Sequence, residues 1–353
     1  MSNQHKNLFL IIGTTVGAGI FSLPFALKSA GTVPFLLLVI VIGYLLVKVN
    51  FFYREIVEST QERHQLAGYA QNILGLRASK IAVFLLLFST YGATLAYLIL
   101  GGDFLAGIVP IRPLTGSLVF FGVAAAVLLL SGRTIEAWDV VFTIIKSVLL
   151  IFIVGMAVGH LLYNKTDLAV PLIGSNPFVG YGTILFALSG FSIVPELKKD
   201  EKLRFTMYAA QFLIVVLYIL FAFANAPLLA GSVISFPFTI QKILLNITGV
   251  FAVLTPYLML SWVGYDLLNK DMGLDRRSSL VVTTFIPLLL FLLGLQNFSK
   301  IIGLTGGVFL GGIAILIARM YEKLRPGQNS LLVKVVQGVL FLGVVAEIIV
   351  FFS

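Results

Sequence analysis

Apolar residues run through this chain in long blocks separated by short polar connections. Eleven such blocks lie near 8–29, 33–56, 80–109, 114–131, 138–162, 178–197, 205–229, 239–268, 279–296, 298–319 and 333–352. Each approaches or exceeds the roughly 20 apolar residues that a helix needs to cross a bilayer. The pattern predicts an all-α polytopic membrane protein of eleven transmembrane helices, a single transmembrane domain over residues 1–353. The connections are short, so no soluble domain is expected between spans. The first block follows seven residues with one Lys and one His and leads into further spans, which reads as a span and not as a cleaved signal peptide.

Two blocks are interrupted. Residues 13–24 read GTTVGAGIFSLP, with Gly13, Gly17 and Gly19 inside the first block and Pro24 a turn later. Glycine costs about 1 kcal/mol per helical residue relative to alanine, so an unwound stretch at mid-membrane is expected. Bare backbone at that depth must line a protein cavity that holds something polar. The sixth block carries ALSGFSIVPELKK, which parallels VGAGIFSLPFALK of the first. Gly19 and Gly190 each precede a proline, Pro24 and Pro195, by five residues, with Phe and Ser between. Five blocks separate the two motifs, an odd number, so the second half is expected to cross the membrane inverted relative to the first. The expected organisation is a first five-helix repeat over 8–162, an inverted second repeat over 178–319 and an extra helix over 333–352. Paired interrupted segments in inverted halves point to a secondary-transporter site.

Broken helices offer their ends as ligands. The second half of the first block starts near Ala18–Ile20 and presents N–H groups with partial positive charge, which suit a carboxylate. The first half of the sixth block ends near Phe186–Ser189 and presents C=O groups, which suit an ammonium. A carboxylate site beside an ammonium site describes the backbone of an α-amino acid, without any charged side chain. Phe186 and Phe191 flank the second break. Tyr91, Thr94 and Tyr97 are spaced to share roughly one face of the third helix. Such an apolar, aromatic wall suits a neutral or aromatic side chain.

Composition changes the picture in two ways. The chain is 59% hydrophobic and 11% charged, with mean hydropathy +1.05, which excludes an ordinary soluble domain. It has no cysteine, which excludes disulfides and thiolate metal sites. The net charge of +9 is unevenly placed. With the N-terminus in the cytoplasm, 17 of the 24 Lys and Arg fall at inner connections and five at outer ones, with Lys48 and Lys146 inside the membrane. This is the positive-inside bias of a cell-membrane protein with its C-terminus outside. The positive charge therefore reports topology and contact with membrane lipid, not a nucleic-acid partner. No cofactor or metal is called for.

Ionisable residues within spans are functional candidates by default. Lys146 lies about eight residues, roughly 12 Å, past the inner end of the fifth block. It either alternates between ammonium and amine, or fills a cation site permanently, or snorkels to the surface. Lys48, near Asn50, Arg54 and Glu55, reads as a snorkelling charge. Glu347, about two turns from the C-terminus, is expected to reach the outer surface or a neighbour. Asp103, Glu196 and Asp266 are read as gate charges or as charges at helix ends.

Several stretches carry a family resemblance. GTTVGAGIFSLP resembles the first-helix signature of the amino acid/polyamine/organocation transporters. HQLAGYAQNILG, YGATLAYLILGGDFL, FALSGFSIVPEL and TPYLMLSWVGYD are similar to stretches of the hydroxy/aromatic amino acid permeases (tryptophan and tyrosine permeases) and the amino acid/auxin permeases. The resemblance implies the leucine-transporter fold, two inverted five-helix repeats plus one helix, working by alternating access. It implies that Thr14, Thr15, Gly17, Ala18 and Gly19 at the first break bind the substrate backbone. Phe186, Ser189, Gly190 and Phe191 would do so at the second break, with Tyr97 on the wall. It implies that the Lys146 ammonium stands in the sodium site of sodium-driven relatives, near Thr255. One departure is that the sixth-helix histidine of the aromatic permeases is absent, and Ser192 or its neighbour stands in its place.

The expected function is a proton-coupled symporter for neutral or aromatic amino acids. A sodium symporter or an exchanger is the alternative. An intramembrane enzyme would need a catalytic constellation. His5, His64 and His160 all lie near connections, without a carboxylate partner at mid-membrane. A channel would need a repeated polar helix face, and a receptor a signalling domain.

Overall fold

In the computed structural model, residues 3–60, 64–130, 155, 159, 170–176, 180–225 and 239–352 are described. They form helices and turns, with no strand among them. Lys146 and the rest of the fifth block, apart from residues 155 and 159, lie outside the described residues.

The first block is broken. Helix α1 (Asn3–Thr15) ends at Val16–Gly17. The chain resumes as a 3-10 turn (Ala18–Ser22) and helix α2 (Leu23–Ala30), bent by 47° from α1. Pro24 sits in the first turn of α2, where its missing N–H is no loss. Helix α2 turns sharply at Gly31 (φ 85°) into α3 (Thr32–Ser59). A side chain at Gly31 would strike the backbone of Ile173 and Gly174. That close approach lets the 170–176 segment bond the turn. Thr32 N donates to Pro171 O (2.9 Å), Val33 N to Leu172 O (3.0 Å) and Gly174 N to Ala30 O (2.8 Å).

A short helix α4 (Leu66–Leu74) leads into α5 (Leu76–Ile108), the longest among the described residues, and α6 (Pro113–Leu130). The sixth block is broken like the first. Helix α7 (Tyr181–Leu188) stops, Ser189 is extended, and a 3-10 turn (Phe191–Glu196) containing Pro195 follows. Then come α8 (Leu203–Asn225) and α9 (Thr239–Asp266), which ends in a π turn (Leu267–Asp271). Helix α10 (Arg276–Leu292) is capped by Asp275, whose carboxylate accepts from Arg277 N and Ser278 N at 3.1 Å. The tenth block runs through α11 (Phe298–Leu304), a π turn (Thr305–Leu310) and α12 (Gly311–Leu324). Helix α13 (Ser330–Phe352) is the last.

Among the described residues, six of these helices or helix runs are long and apolar enough to cross a membrane. The bent α1–α2 pair makes a seventh. Together with the short apolar α6 they show a multi-pass, all-helical membrane protein. Helix α5 is an axis that packs against α6, α9, α10 and α11. Helix α8 packs on α1, α2 and α3. Helix α7 lies between α3, α11 and the π turn. Both breaks therefore sit at the centre, inside one continuous apolar core that runs from Ile11 through Ile20, Tyr97, Ile184 and Tyr218 to Ile317.

The intramembrane charges divide. Lys48 Nζ is exposed and bonds the Tyr208 hydroxyl at 2.5 Å, with the Tyr44 and Tyr208 rings beneath it, as a snorkelling ammonium does. Asp266 pairs with Lys270 at 2.9 Å, one helical turn on. Glu347, in contrast, is buried in the core.

Candidate functional site

The two breaks meet. A Cβ on Gly19 would lie 2.8 Å from Ala187 Cα and 3.1 Å from the Phe186 ring, so the first break touches the backbone of α7 only because residue 19 has no side chain. A Cβ on Gly190 would collide with Thr15 Oγ1. Each break thus supplies a glycine to the other. Gly17 differs: a Cβ there would meet nothing within 4 Å. Its backbone (φ −136°, ψ −158°) is extended, a conformation open to any residue.

Interrupting a helix orphans carbonyls at the end of the first half. Here two of them share one donor. The Tyr218 hydroxyl from α8 reaches Thr15 O at 3.0 Å and Ala187 O at 3.1 Å. Tyr218 is fully buried. Thr15 ends α1 and Ala187 lies one residue before the end of α7, so one phenol ties both broken helices to α8. The Phe186 carbonyl is also engaged, accepting from Ser189 Oγ at 2.9 Å and Ser189 N at 3.4 Å. At the first break Ser22 Oγ donates to Gly19 O at 2.5 Å, and Ile20 N to Gly17 O at 3.3 Å. The carbonyls that were expected to face an ammonium are thus partly engaged by neighbouring hydroxyls. A carbonyl oxygen has two lone pairs, both taken at Phe186 O, so an ammonium there has to displace a Ser189 donor.

The structure gathers most of the candidates. Thr15, Ala18, Gly19, Gly190 and Phe191 are buried at the crossing, and Gly17, Phe186 and Ser189 are half-buried. The Phe186 ring meets the Tyr97 ring edge to face, centroids 6.3 Å apart at 68°. Tyr97 is buried on α5 with Tyr91 and Thr94, as the spacing predicts. Thr94 Oγ1 bonds back to Thr90 O at 2.8 Å, whereas the buried Tyr91 hydroxyl has no protein partner among the described residues. Thr14 is not gathered: it is exposed on α1, one residue from the buried Thr15. Thr255 is buried on α9 and donates to Phe251 O at 3.3 Å. Ser192 is exposed.

Sequence reasoning missed Tyr218. The signal was a lone phenol in the apolar run VVLYILF, whose buried hydroxyl requires a partner. It also missed a clasp at the end of the bundle rich in Lys and Arg, here called the basic end. Asn7 is fully buried and bonds Lys198 reciprocally: Nδ2 donates to Lys198 O at 2.9 Å, and Lys198 N donates to Asn7 Oδ1 at 3.0 Å. Arg54 Nη1 donates to Leu197 O at 2.7 Å while its Nε pairs with Glu58 at 2.8 Å. The strand of chain leaving the second break is thereby held to α1 and α3. Outside it, Glu55 faces Arg204 at 3.6 Å and Arg325 at 3.8 Å.

Residues 4–172 match the sequence model of the tryptophan/tyrosine permease family. No curated protein matches the sequence. Among solved structures, an Eremococcus coleocola manganese transporter in complex with an aromatic bis-isothiourea compound is similar at 12% identity and TM-score 0.66. The alignment covers 100% of this chain and 88% of that one. MhsT in complex with L-phenylalanine is similar at 17% identity and TM-score 0.62, covering 98% of this chain and 97% of the other. These neighbours share the leucine-transporter fold with this chain. The findings point to a transporter and not to an enzyme.

Proposed function

We propose that this chain is a secondary active amino acid transporter that holds its substrate where α1, the following 3-10 turn and α7 cross. The observation that carries the reading is the pair of juxtaposed breaks, in a protein whose first half matches an amino acid permease family. The site presents helix ends and an aromatic wall of Tyr97 and Phe186, with no charged side chain in the core of either motif, from Gly19 to Pro24 and from Gly190 to Pro195. That chemistry selects a zwitterion with an apolar or aromatic side chain. The family's name and the L-phenylalanine bound to a neighbour of the same fold both support an aromatic side chain. A manganese ion, the cargo of another neighbour, would need a cluster of hard or imidazole ligands. No group of three His, Cys, Asp or Glu that could hold a metal occurs among the described residues.

The organisation proposed is two inverted repeats over 8–162 and 178–319 with an added helix over 333–352. The N-terminus and the basic end face the cytoplasm and the C-terminus lies outside. Substrate contacts come from Thr15, Gly17, Ala18, Gly19, Tyr97, Phe186, Ser189, Gly190 and Phe191. Thr14 joins them only if α1 moves. The driving ion proposed is the proton, with Lys146 as ammonium beside Thr255, and sodium as the alternative.

Purified full-length protein in liposomes tests the reading. Tryptophan, tyrosine or phenylalanine is expected to accumulate under an inward proton gradient, with or without sodium, and Lys146→Ala is expected to lose accumulation. Absence of uptake or exchange for any of the twenty amino acids would overturn the transport assignment. Strict sodium dependence would overturn the choice of ion alone.

A further inference from the structure

We propose that Glu347 is a proton-binding site of this transporter, placed so that gain or loss of its proton acts on the broken sixth span. This inference rests on the transport reading above and adds to it a protonatable group other than Lys146.

The carboxyl of Glu347 comes from the last helix, α13, and enters between α7 and α11. It is 7% exposed. Its Oε2 accepts from Gly182 N at 3.1 Å. Gly182 is the second residue of α7, whose own N-terminal flank offers no side-chain cap, so a carboxylate from another helix caps it. The enclosure is made of glycine. A Cβ at Gly303 would collide with Oε1, and one at Gly307 would lie 2.6 Å from Glu347 Cγ. A Cβ at Gly182 would strike the Gly303 carbonyl, and one at Gly306 the Gly182 carbonyl. Helices α7 and α11 therefore touch backbone to backbone, and the carboxyl fills the remaining gap. Small residues at such a crossing allow close helix approach, but they do not require a carboxylate.

The surroundings say what the carboxyl can take up. The elements packed on α13 are α7, α11, α12 and the π turn between the last two. On α7 the titratable group facing Glu347 is Tyr181, whose hydroxyl is directed to Leu340 O at 3.3 Å. On α11, Lys300 is exposed, and the π turn TGGVFL has no titratable group. On α12, Arg319, Glu322 and Lys323 belong to the other end, where Glu322 accepts from Gln337 at 3.1 Å. Gln337 is ten residues, roughly 15 Å, along α13 from Glu347. Lys334 on α13 itself is farther still. No cation among the described residues neutralises this carboxyl. A buried carboxylate without a cationic partner is costly, and a proton from the aqueous phase, converting carboxylate to carboxylic acid, removes the charge without new ligands.

The position supplies the coupling. Helix α7 is only eight residues long. One end is capped by Glu347 and the other carries Phe186 and Ala187 of the candidate site. A movement of α7 that opens the site exposes the carboxyl, and the closed arrangement buries it. The two arrangements must then differ in proton affinity, which is the linkage that coupling requires.

The test uses purified full-length protein, wild type and Glu347→Gln. The glutamine keeps the shape and an acceptor for Gly182 N but cannot titrate. Infrared titration of wild type labelled with 13C-glutamate is expected to show one buried carboxyl that gains its proton apart from the exposed glutamates. Glu347→Gln is expected to lack that band. In liposomes the variant is expected to keep amino acid exchange at a rate that no longer follows pH, and to lose proton-driven accumulation by about fivefold or more. Absence of the buried carboxyl band in the wild type overturns the proposal without any variant. So does a Glu347→Gln protein with the wild-type pH profile and accumulation, which would leave the carboxylate as a helix cap only. Sodium binding to wild type that is lost in Glu347→Gln would overturn the proton in favour of a metal cation. The infrared titration needs no substrate, so a failure of the transport reading is distinguished from a failure of this one.

Discussion

At the scale of single residues, the two glycines of the first break have different duties. Gly19 is a packing glycine. Its missing side chain lets the chain lie on Ala187, and adding one methyl meets backbone, which cannot move aside as a flexible side chain would. Gly19→Ala is expected to destabilise the protein by about 1–3 kcal/mol and to lower uptake, read by thermal unfolding in detergent and by liposome transport. Gly17 has space beside it and an unstrained backbone. Gly17→Leu is expected to leave the unfolding temperature near that of wild type while blocking uptake, because the added side chain enters the space proposed for the substrate. Normal uptake by Gly17→Leu would move the pocket elsewhere. Tyr218→Phe removes one hydroxyl that serves two carbonyls. Buried acceptors left unpaired cost about 1–3 kcal/mol, so a loss in that range is expected from denaturation, with a fall in uptake. A variant as stable and active as wild type would mean that water replaces the phenol.

At the scale of elements, caps and turns decide which helices can move. Helix α10 begins at Asp275, an exposed carboxylate outside the spans whose hydrogen bonds from Ser278 and Arg277 hold its pKa below the ordinary value. A depressed folded pKa gives stability that is present above the unfolded value and is lost as pH falls through the folded one. Acidification below the ordinary carboxylate range is therefore expected to fray the first turn of α10, seen as faster amide exchange at Ser278 and Ser279. Asp275→Ala is expected to show that exchange already at neutral pH. The tenth span yields at another point. Its π turn at Thr305–Leu310 coincides with the glycines that touch α7, and such turns widen the helix where a neighbour approaches. Glycine spacing in GLTGGVFLGG was the available signal for this contact, but it does not name the partner helix.

At the scale of the whole molecule, the clasp at the basic end defines the conformation seen. Asn7, Lys198, Arg54 and Leu197 hold α1 and α3 to the chain leaving the second break. Asn7→Ala breaks a reciprocal pair at a fully buried position. It is expected to shift the population toward a form open at that end. The measurement is the labelling rate of a single cysteine placed at Ser189, in a chain that has no native cysteine to interfere. A rise of about fivefold fits the 1 kcal/mol or so that one buried hydrogen-bonded pair contributes. An unchanged rate would mean that the clasp does not gate access.

Much was legible in the sequence because its causes are local. Block length predicts spans, since the bilayer sets one thickness. Glycine and proline at 17, 19, 24, 190 and 195 predict breaks, since a helix is interrupted by its own residues, and both breaks lie where they were expected. A signature shared with known permeases told the fold in advance for the same reason: motifs record backbone needs. What only the tertiary structure decided are pairings between residues far apart in the chain. That one phenol from α8 serves both broken helices, that Gly19 meets Ala187, and that Glu347 enters the glycine gap between α7 and α11 depend on how helices cross. The expectation that Glu347 reaches the surface or a neighbour left open which, and the crossing chose the neighbour. Thr14 and Thr15 are adjacent and chemically identical, and only the bundle sends one inward and the other out. Hydropathy and spacing are properties of one helix, whereas the partner of a buried polar atom is a property of two.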